Sequence, residues 1–590
     1  MKLSKDNGFV AFLLTTISAY GLLTSMISGC ANSSIAPTGG PKDTIAPVLL
    51  KMDPPQRIRG FKGKELVFTF NEYVQLKDQN KNFVISPPLP SKKPVLKIKG
   101  KSIVVSFPSI ADSVTYYIDF GASVVDVNEN NPASYLNFIF STGDVLDTMI
   151  YVGHVVDALT LDPVDAAHIF LYEDNIDSLV FKHNPSALSI TNKEGVFIVK
   201  GLKNKQYKMV AVTDKNSNMR YDAGIEQIAF PDSLIQPTPF SEDDSISFYS
   251  LPVFNVFTEN VKRQALMETK RPEERLISLH FNEIYPVIQS FRIDDVPPAR
   301  IIEDASAQRD SINFWITSRE VKDTITGELI YLKTDTANKL SPDTVKIKLT
   351  HSKPKPKRKN RDKDEDKEEE EEIIPIEPNI NAVATSIAEN DITFVFKTPL
   401  LRVDTSKMRL SIFDDTGKEK IPVKGISFTQ DSIRVKNYKL STKWKLASKY
   451  EISIMPEAFV DVYSITNDTI IKTVETADPE KFGKLILEII NSNKQYIFQL
   501  MKDKDQKVTQ EKIGNGNGEV VFQYLSSGKY RVRVIEDINR NGKWDTGSYL
   551  EKRQAERVLF LVFSTGETLL DIKTNREDEQ TIDASMLFVK

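Results

Sequence analysis

"YRVRVIEDINRNGKWDTG", residues 530–547, is the stretch whose reading decides the fold. Asp537, Asn539, Asn541 and Asp545 stand at odd positions of a short loop, with Gly542 at its sharp turn, which is the oxygen-rich pattern of a calcium-binding helix–loop–helix. The flank argues against the helix. Tyr530, Val532 and Val534 alternate with Arg531 and Arg533, the two-residue period of a strand. The loop is therefore expected to leave a β-strand.

The unit occurs twice. "YKMVAVTDKNSNMRYDAG" (207–224) aligns without a gap, pairing Asp214 with Asp537, Asn216 and Asn218 with Asn539 and Asn541, Tyr221 with Trp544, Asp222 with Asp545 and Gly224 with Gly547. Upstream, "EGVFIVKGLKNKQY" parallels "GEVVFQYLSSGKY" as strand, tight turn and strand. A second repeat links "LVFTFNEYV" (66–74), "ISLHFNEIY" (277–285) and "ITFVFKTPL" (392–400), each an alternating strand closed by a turn. A third links "YYIDFGASVVDVNENNP" (116–132) with "YEISIMPEAFVDVYSITND" (450–468) through a Val-Asp-Val corner. Further alternating faces at Ile103, Val105 and Phe107, turn clusters between them and the lack of a long amphipathic helix predict an all-β chain of tandem sandwiches.

Composition supports several folded domains. Of 590 residues, 40% are hydrophobic and 27% charged, and the formal net charge of −4 gives no general attraction to nucleic acid. At the N-terminus, Lys2 and Lys5 precede an apolar run from Phe9 to Leu23 that ends in Ile27-Ser28-Gly29-Cys30. This resembles the lipobox of bacterial lipoproteins, and the resemblance implies that Cys30 is acylated and begins the mature chain. Cys30 is the single cysteine, so each domain must stand without a disulfide. The Pro/Gly-rich polar stretch after it predicts a tether, and no acidic run follows the cysteine to choose a membrane leaflet.

With "FVISPPL" (83–89) and "FIFSTGD" (138–144), the strand repeats resemble bacterial immunoglobulin-like domains of envelope proteins. The Asp/Asn unit, with "GHVVDA", resembles prealbumin-like sandwiches of the carboxypeptidase-regulatory or collagen-adhesin B type. The expected layout is a signal peptide (1–29), tether (30–43), Ig-like domain (44–144), prealbumin-like sandwich (145–253), Ig-like sandwich (254–350), charged linker (351–379), Ig-like sandwich (380–480) and a terminal prealbumin-like sandwich (481–590). The charge blocks at 353–372 read as a solvated linker. The whole chain resembles large multidomain lipoproteins of the Bacteroidota through "APTGGPKDT", "FNEYVQLKD", "FVISPPL" and "NGKWDTG".

Two readings of the Asp/Asn loop stand side by side. As a calcium site the second copy offers Asp537, Asn539, Asn541, the carbonyl of Lys543 and Asp545; the first offers Asp214, Asn216, Asn218 and Asp222, with Met219 in place of the glycine. Two evident carboxylates per loop predict weak affinity, on the order of 0.1 to 1 mM. As a plain turn, the same side chains close the loop on its own backbone. No catalytic constellation is evident. His154, His168, His183, His280 and His351 are scattered, the one thiol is the lipidation candidate, and "GNGNG" (514–518) precedes a strand, so it reads as a hairpin turn rather than a phosphate loop. No cofactor is required on this reading, although Ca2+ remains a candidate.

The expected function is a non-enzymatic lipoprotein of the outer membrane, held by its N-terminal lipid. It would serve as a structural or accessory subunit that docks a β-barrel or other envelope protein, the specific case being assembly or export of outer-membrane proteins. Its modules are expected to run in series and give reach. The alternative is a surface adhesin for glycan or peptide ligands.

Overall fold

The computed structural model describes residues 43–589 except 240–249, 261–262, 319, 336–338, 352–373, 415, 504 and 506. Cys30, the expected signal peptide, most of the expected tether and the charge blocks lie outside them. The fold is nearly all β, with 48% of residues in strands and 5% in helix. The longest helix among the described residues is Ala384–Asn390.

The strand repeat has a common structural place. In the first module, Leu49–Asp53, Glu65–Phe70, Ser102–Ser106 and Val95–Lys99 lie side by side in that order. The third and fourth modules repeat the pattern around Leu276–Phe281 and Ile392–Val395. Alternation explains why. Leu66, Phe68 and Phe70 turn inward against Phe120, Phe138 and Phe140 from the facing sheet, while Val67 and Thr69 face outward. The Val-Asp-Val corners also share a mechanism. Asp126 accepts the backbone N–H groups of Glu129, Asn130 and Asn131, and Asp461 those of Tyr463 and Ile465, so a buried carboxylate ties each turn.

The second and last modules close alike. Val253–Thr258 runs parallel to Met149–Asp157, as Glu577–Asp583 does to Gly483–Ile490. The boundary read at residue 253 thus falls on a strand of the second module, which extends to 258. "GNGNG" is not a hairpin turn. Val508–Asn515 pairs with Gln495–Lys502, whereas Gly518–Leu525 pairs with Gly483–Ile490 in the other sheet. The segment crosses between sheets, with Asn517 Oδ1 accepting Ser492 N–H at 2.7 Å and Gly516 N–H bonding Lys494 O at 3.1 Å. Each strand has a better partner than its sequence neighbour.

The modules do not run simply in series. The first packs on the second, where Val84 enters the core and Ser86 Oγ accepts Leu188 N–H. The third meets the fourth through Trp315, Leu276 and Val462, with Arg275 over the Tyr463 ring and Lys436 paired to Asp304 at 3.2 Å. The last module returns to the second. Residues 546–555, a strap inserted after the second Asp/Asn loop, seat Tyr549 in the second module's aromatic cluster. Modules two to five therefore form a closed ring. This corrects the expectation of an extended string, and the cause is apolar burial between modules far apart in sequence.

Candidate functional site: the paired Asp/Asn loops and the joint between them

Both loops have the same hydrogen-bond geometry. Asp537 accepts the N–H of Asn541 (3.1 Å) and of Gly542 (2.8 Å); Asp214 accepts those of Asn218 (3.2 Å) and Met219 (2.8 Å). Asn541 Oδ1 takes the Lys543 N–H, and Asn218 Oδ1 the Arg220 N–H, each at 2.8 Å. The carboxamide of Asn539 and that of Asn541 both donate to Asp545 Oδ2, as those of Asn216 and Asn218 do to Asp222 Oδ2. The missing glycine changes little, since Met219 adopts φ 58° where Gly542 has 73°. Left-handed backbone costs a non-glycine residue about 1 to 2 kcal/mol, which the loop's bonds outweigh.

Each loop also holds a glutamate that the sequence reading missed. Glu556 accepts Ile538 N–H at 2.8 Å and Asp545 N–H at 3.0 Å; Glu226 accepts Lys215 N–H at 2.9 Å and Asp222 N–H at 3.0 Å. Glu226 follows its aspartate by four residues and Glu556 by eleven, so no fixed spacing announces them. The difference is the strap. Only an alignment that opens a gap after Gly224 and Gly547 sets Glu226 against Glu556; without the gap Glu226 falls opposite Tyr549.

Burial pushes both glutamates above the usual carboxylate range, and the neighbouring aspartates add to this, against the pull of the backbone N–H donors. A hard cation would relieve that crowded negative charge, and the two aspartates, the glutamate, two carboxamide oxygens and the carbonyl at residue 543 or 220 are of the oxygen type such a cation takes. The Asn side chains would have to turn their oxygens inward, because their amino groups now occupy Asp545 and Asp222. Among the described residues, no group of three or more His, Cys, Asp or Glu stands at ligating spacing. As built, each loop is closed on itself, the arrangement of the turn reading.

What the loops visibly do is join two modules. Tyr221 and Trp544, equivalent in the alignment, enter the same apolar cluster, with Tyr549 between Phe181, Tyr221 and Phe230 at centroid distances of 5.8, 6.5 and 5.3 Å. Glu259 bridges the copies, accepting Tyr221 O–H at 2.6 Å and the strap's Tyr549 N–H at 2.7 Å. Asp177 pairs with both Lys208 and Lys552, and these two ammonium groups flank the Tyr549 ring at 5.5 and 4.8 Å. Gln554 donates to Phe230 O (2.9 Å) and Thr546 Oγ1 to Thr258 O (2.6 Å).

Gly547 is required by close approach. A Cβ there would lie 2.3 Å from Phe257 Cζ and 2.6 Å from Arg553 O. Gly547→Ala is therefore expected to lift the strap, costing about 1 to 3 kcal/mol in denaturant unfolding and making residues 546–555 accessible to protease.

The histidines stand on separate elements: His154 and His168 lie on different strands of the second module, His183 follows Leu179–Lys182, His280 lies on Leu276–Phe281, and His351 follows Leu340–Thr350.

This fold defines a multidomain Ig-like protein. Residues 43–142 match the family model of a bacterial Ig-like domain, and residues 474–551, which include the second Asp/Asn loop, match that of an "uncharacterized protein conserved in bacteria (DUF2141)". No curated protein matches the chain. Similar solved structures include Escherichia coli alpha-2-macroglobulin spanning domains MG0-NIE-MG1 (11% identity, 34% of this chain, 91% of that one, TM-score 0.16). Salmonella alpha-2-macroglobulin reacted with methylamine shows 10% identity over 88% of this chain and 42% of its own, with a TM-score of 0.13. Protocadherin gamma B2 extracellular cadherin domains 3–6 show 9% identity over 72% of this chain and 97% of theirs, with a TM-score of 0.12. The chain thus spans less than half of the Salmonella protein. At these scores the likeness carries no argument about arrangement or function.

Proposed function

We propose that the chain is a non-catalytic lipoprotein of the bacterial outer membrane, of Bacteroidota type, that serves as a structural or accessory subunit docked on a β-barrel or other envelope protein. The observation that carries this reading is the use of both Asp/Asn loops, the most conspicuous polar motifs in the chain, to fasten the second module to the last. A ring of sandwiches presents fixed side surfaces, which suits docking better than the mobile loop tips of an adhesin. The tryptophans favour the same side. Trp315 is buried between modules, Trp444 donates to Asp391 and Trp544 lies in the joint, so none forms a sugar platform at a loop tip.

Purification of the chain from detergent-solubilised outer membrane tests the proposal. A stoichiometric membrane-protein partner, and acyl chains on Cys30 by mass spectrometry, are expected. Recovery of the chain alone, with glycan or peptide binding at its exposed turns, would favour the adhesin instead.

Calcium is part of the proposal as a stabiliser of the joint. Taking a dissociation constant of about 0.1 to 1 mM, 10 mM calcium adds about 1.4 to 2.7 kcal/mol per occupied loop, read as a rise in melting temperature over chelator. Glu226 and Glu556 have raised folded-state values, so their protonated forms gain weight as pH falls and compete with the cation. The calcium increment should shrink from pH 7 to pH 5. No increment at pH 7 leaves the loops as plain turns.

A further inference from the structure

We propose that the pole of the first module from which the N-terminal segment departs is a lipid-contact face that seats this module on the bilayer. The inference rests on the lipid-anchor reading of Cys30. Ile45, Val48, Tyr73 and Val127 gather at this pole, each between 51% and 68% exposed. Their proximity follows from the backbone. Val48 N–H donates to Asn71 Oδ1 at 2.8 Å and Asn71 N–H to Val48 O at 3.0 Å, while the antiparallel pairing of Val74 with Asp126 sets Tyr73 opposite Val127. Asn131 Nδ2 donates to Asp43 O at 3.0 Å, which binds the start of the described chain to the same pole. Lys101 bonds Asn71 O at 2.7 Å and lies 5.7 Å from the Tyr73 ring centroid.

The partner follows from where the chain leaves. The segment 30–42 separates the acylation candidate from Asp43, and even fully extended such a length spans only about 45 Å. This pole is then where the anchoring segment enters the folded chain, within that distance of the acyl chains. Exposed Ile and Val beside a tyrosine and a long lysine suit the interface, where apolar bodies sink and polar tips stay wet. Asp43, Glu72 and Glu129 lie in the same segments and offset Lys99 and Lys101, so apolar contact rather than net charge holds the face.

The single cysteine makes the test direct. On an acylated full-length chain no thiol is free, so Tyr73→Cys, Val127→Cys and, as a control on the fourth module, Ile471→Cys each give one site for a polarity-sensitive fluorophore. In phosphatidylethanolamine/phosphatidylglycerol vesicles, the probes at 73 and 127 are expected to shift to the blue and to be quenched by nitroxide lipids, with little change in high salt. The probe at 471 should do neither. Background quenching at all three sites on an acylated chain overturns the lipid face, as does a blue shift that appears only on adding extracted outer-membrane proteins, which would assign the face to a protein. Label uptake by the parent chain instead locates the failure at Cys30 and removes the anchor reading itself.

Discussion

Tyr549→Ala is expected to open the ring. The ring of Tyr549 is 1% exposed, packed against three aromatic rings and flanked by two lysines. Truncating a buried aromatic costs about 3 to 5 kcal/mol, here charged to the joint between the second and last modules. Denaturant unfolding should lose that amount, and trypsin should cut quickly after Lys552 and Arg553, whose side chains in the closed ring engage Asp177 and Thr546 O. Tyr549→Phe keeps the aromatic body and loses only a long 3.4 Å bond to Asp177 O, so it should cost less than about 1 kcal/mol. Similar costs for both variants would show that the aromatic seat is not what holds the strap.

Asp537→Ala is the second large effect, and it acts through the loop. Asp537 is buried and accepts three donors, the N–H groups of Asn541 and Gly542 and Nε2 of Gln495 at 2.7 Å. Leaving buried donors unpaired costs about 1 to 3 kcal/mol each, so a loss of about 3 kcal/mol is expected even if one donor finds water. The loop leads directly into the strap, so the change should also loosen Tyr549. Asp537→Ala and Tyr549→Ala combined should then cost less than their sum, the signature of residues acting on one unit. Strict additivity would separate the loop from the joint.

The alternating stretches were legible because burial follows a local two-residue rule. Leu66, Phe68 and Phe70, Ile103 and Val105, and Tyr116, Ile118 and Phe120 all point into one core, as their spacing predicts. The repeats at 66, 277 and 392 were readable for the same reason and hold equivalent positions in three sheets. The ring was not legible. It depends on pairs such as Lys552 with Asp177, 375 residues apart, and Tyr549 sits in "GSYLEKRQAE", a polar segment with no periodicity to mark it as buried. "GNGNG" misled because glycines report that the chain turns, not which strands pair afterwards.

The Asp/Asn motif was half legible. Its spacing correctly grouped Asp537, Asn539, Asn541 and Asp545, and their first-copy equivalents, around one loop. Met219 stands where the second copy has glycine, and its backbone adopts the same left-handed conformation. Glu226 and Glu556 went unseen because folding, rather than spacing, brings them in. Two equivalent aromatic positions, Tyr221 and Trp544, gave no sign in sequence that they enter one apolar cluster at the joint.

The closed ring can be tested by zero-length carbodiimide coupling of the intact chain, followed by peptide mass spectrometry. Asp177 contacts two ammonium groups, Lys208 in its own module and Lys552 in the last. The ring predicts an amide cross-link from Asp177 to Lys552 within monomeric protein, lost in Tyr549→Ala. Coupling of Asp177 to Lys208 alone would contradict it.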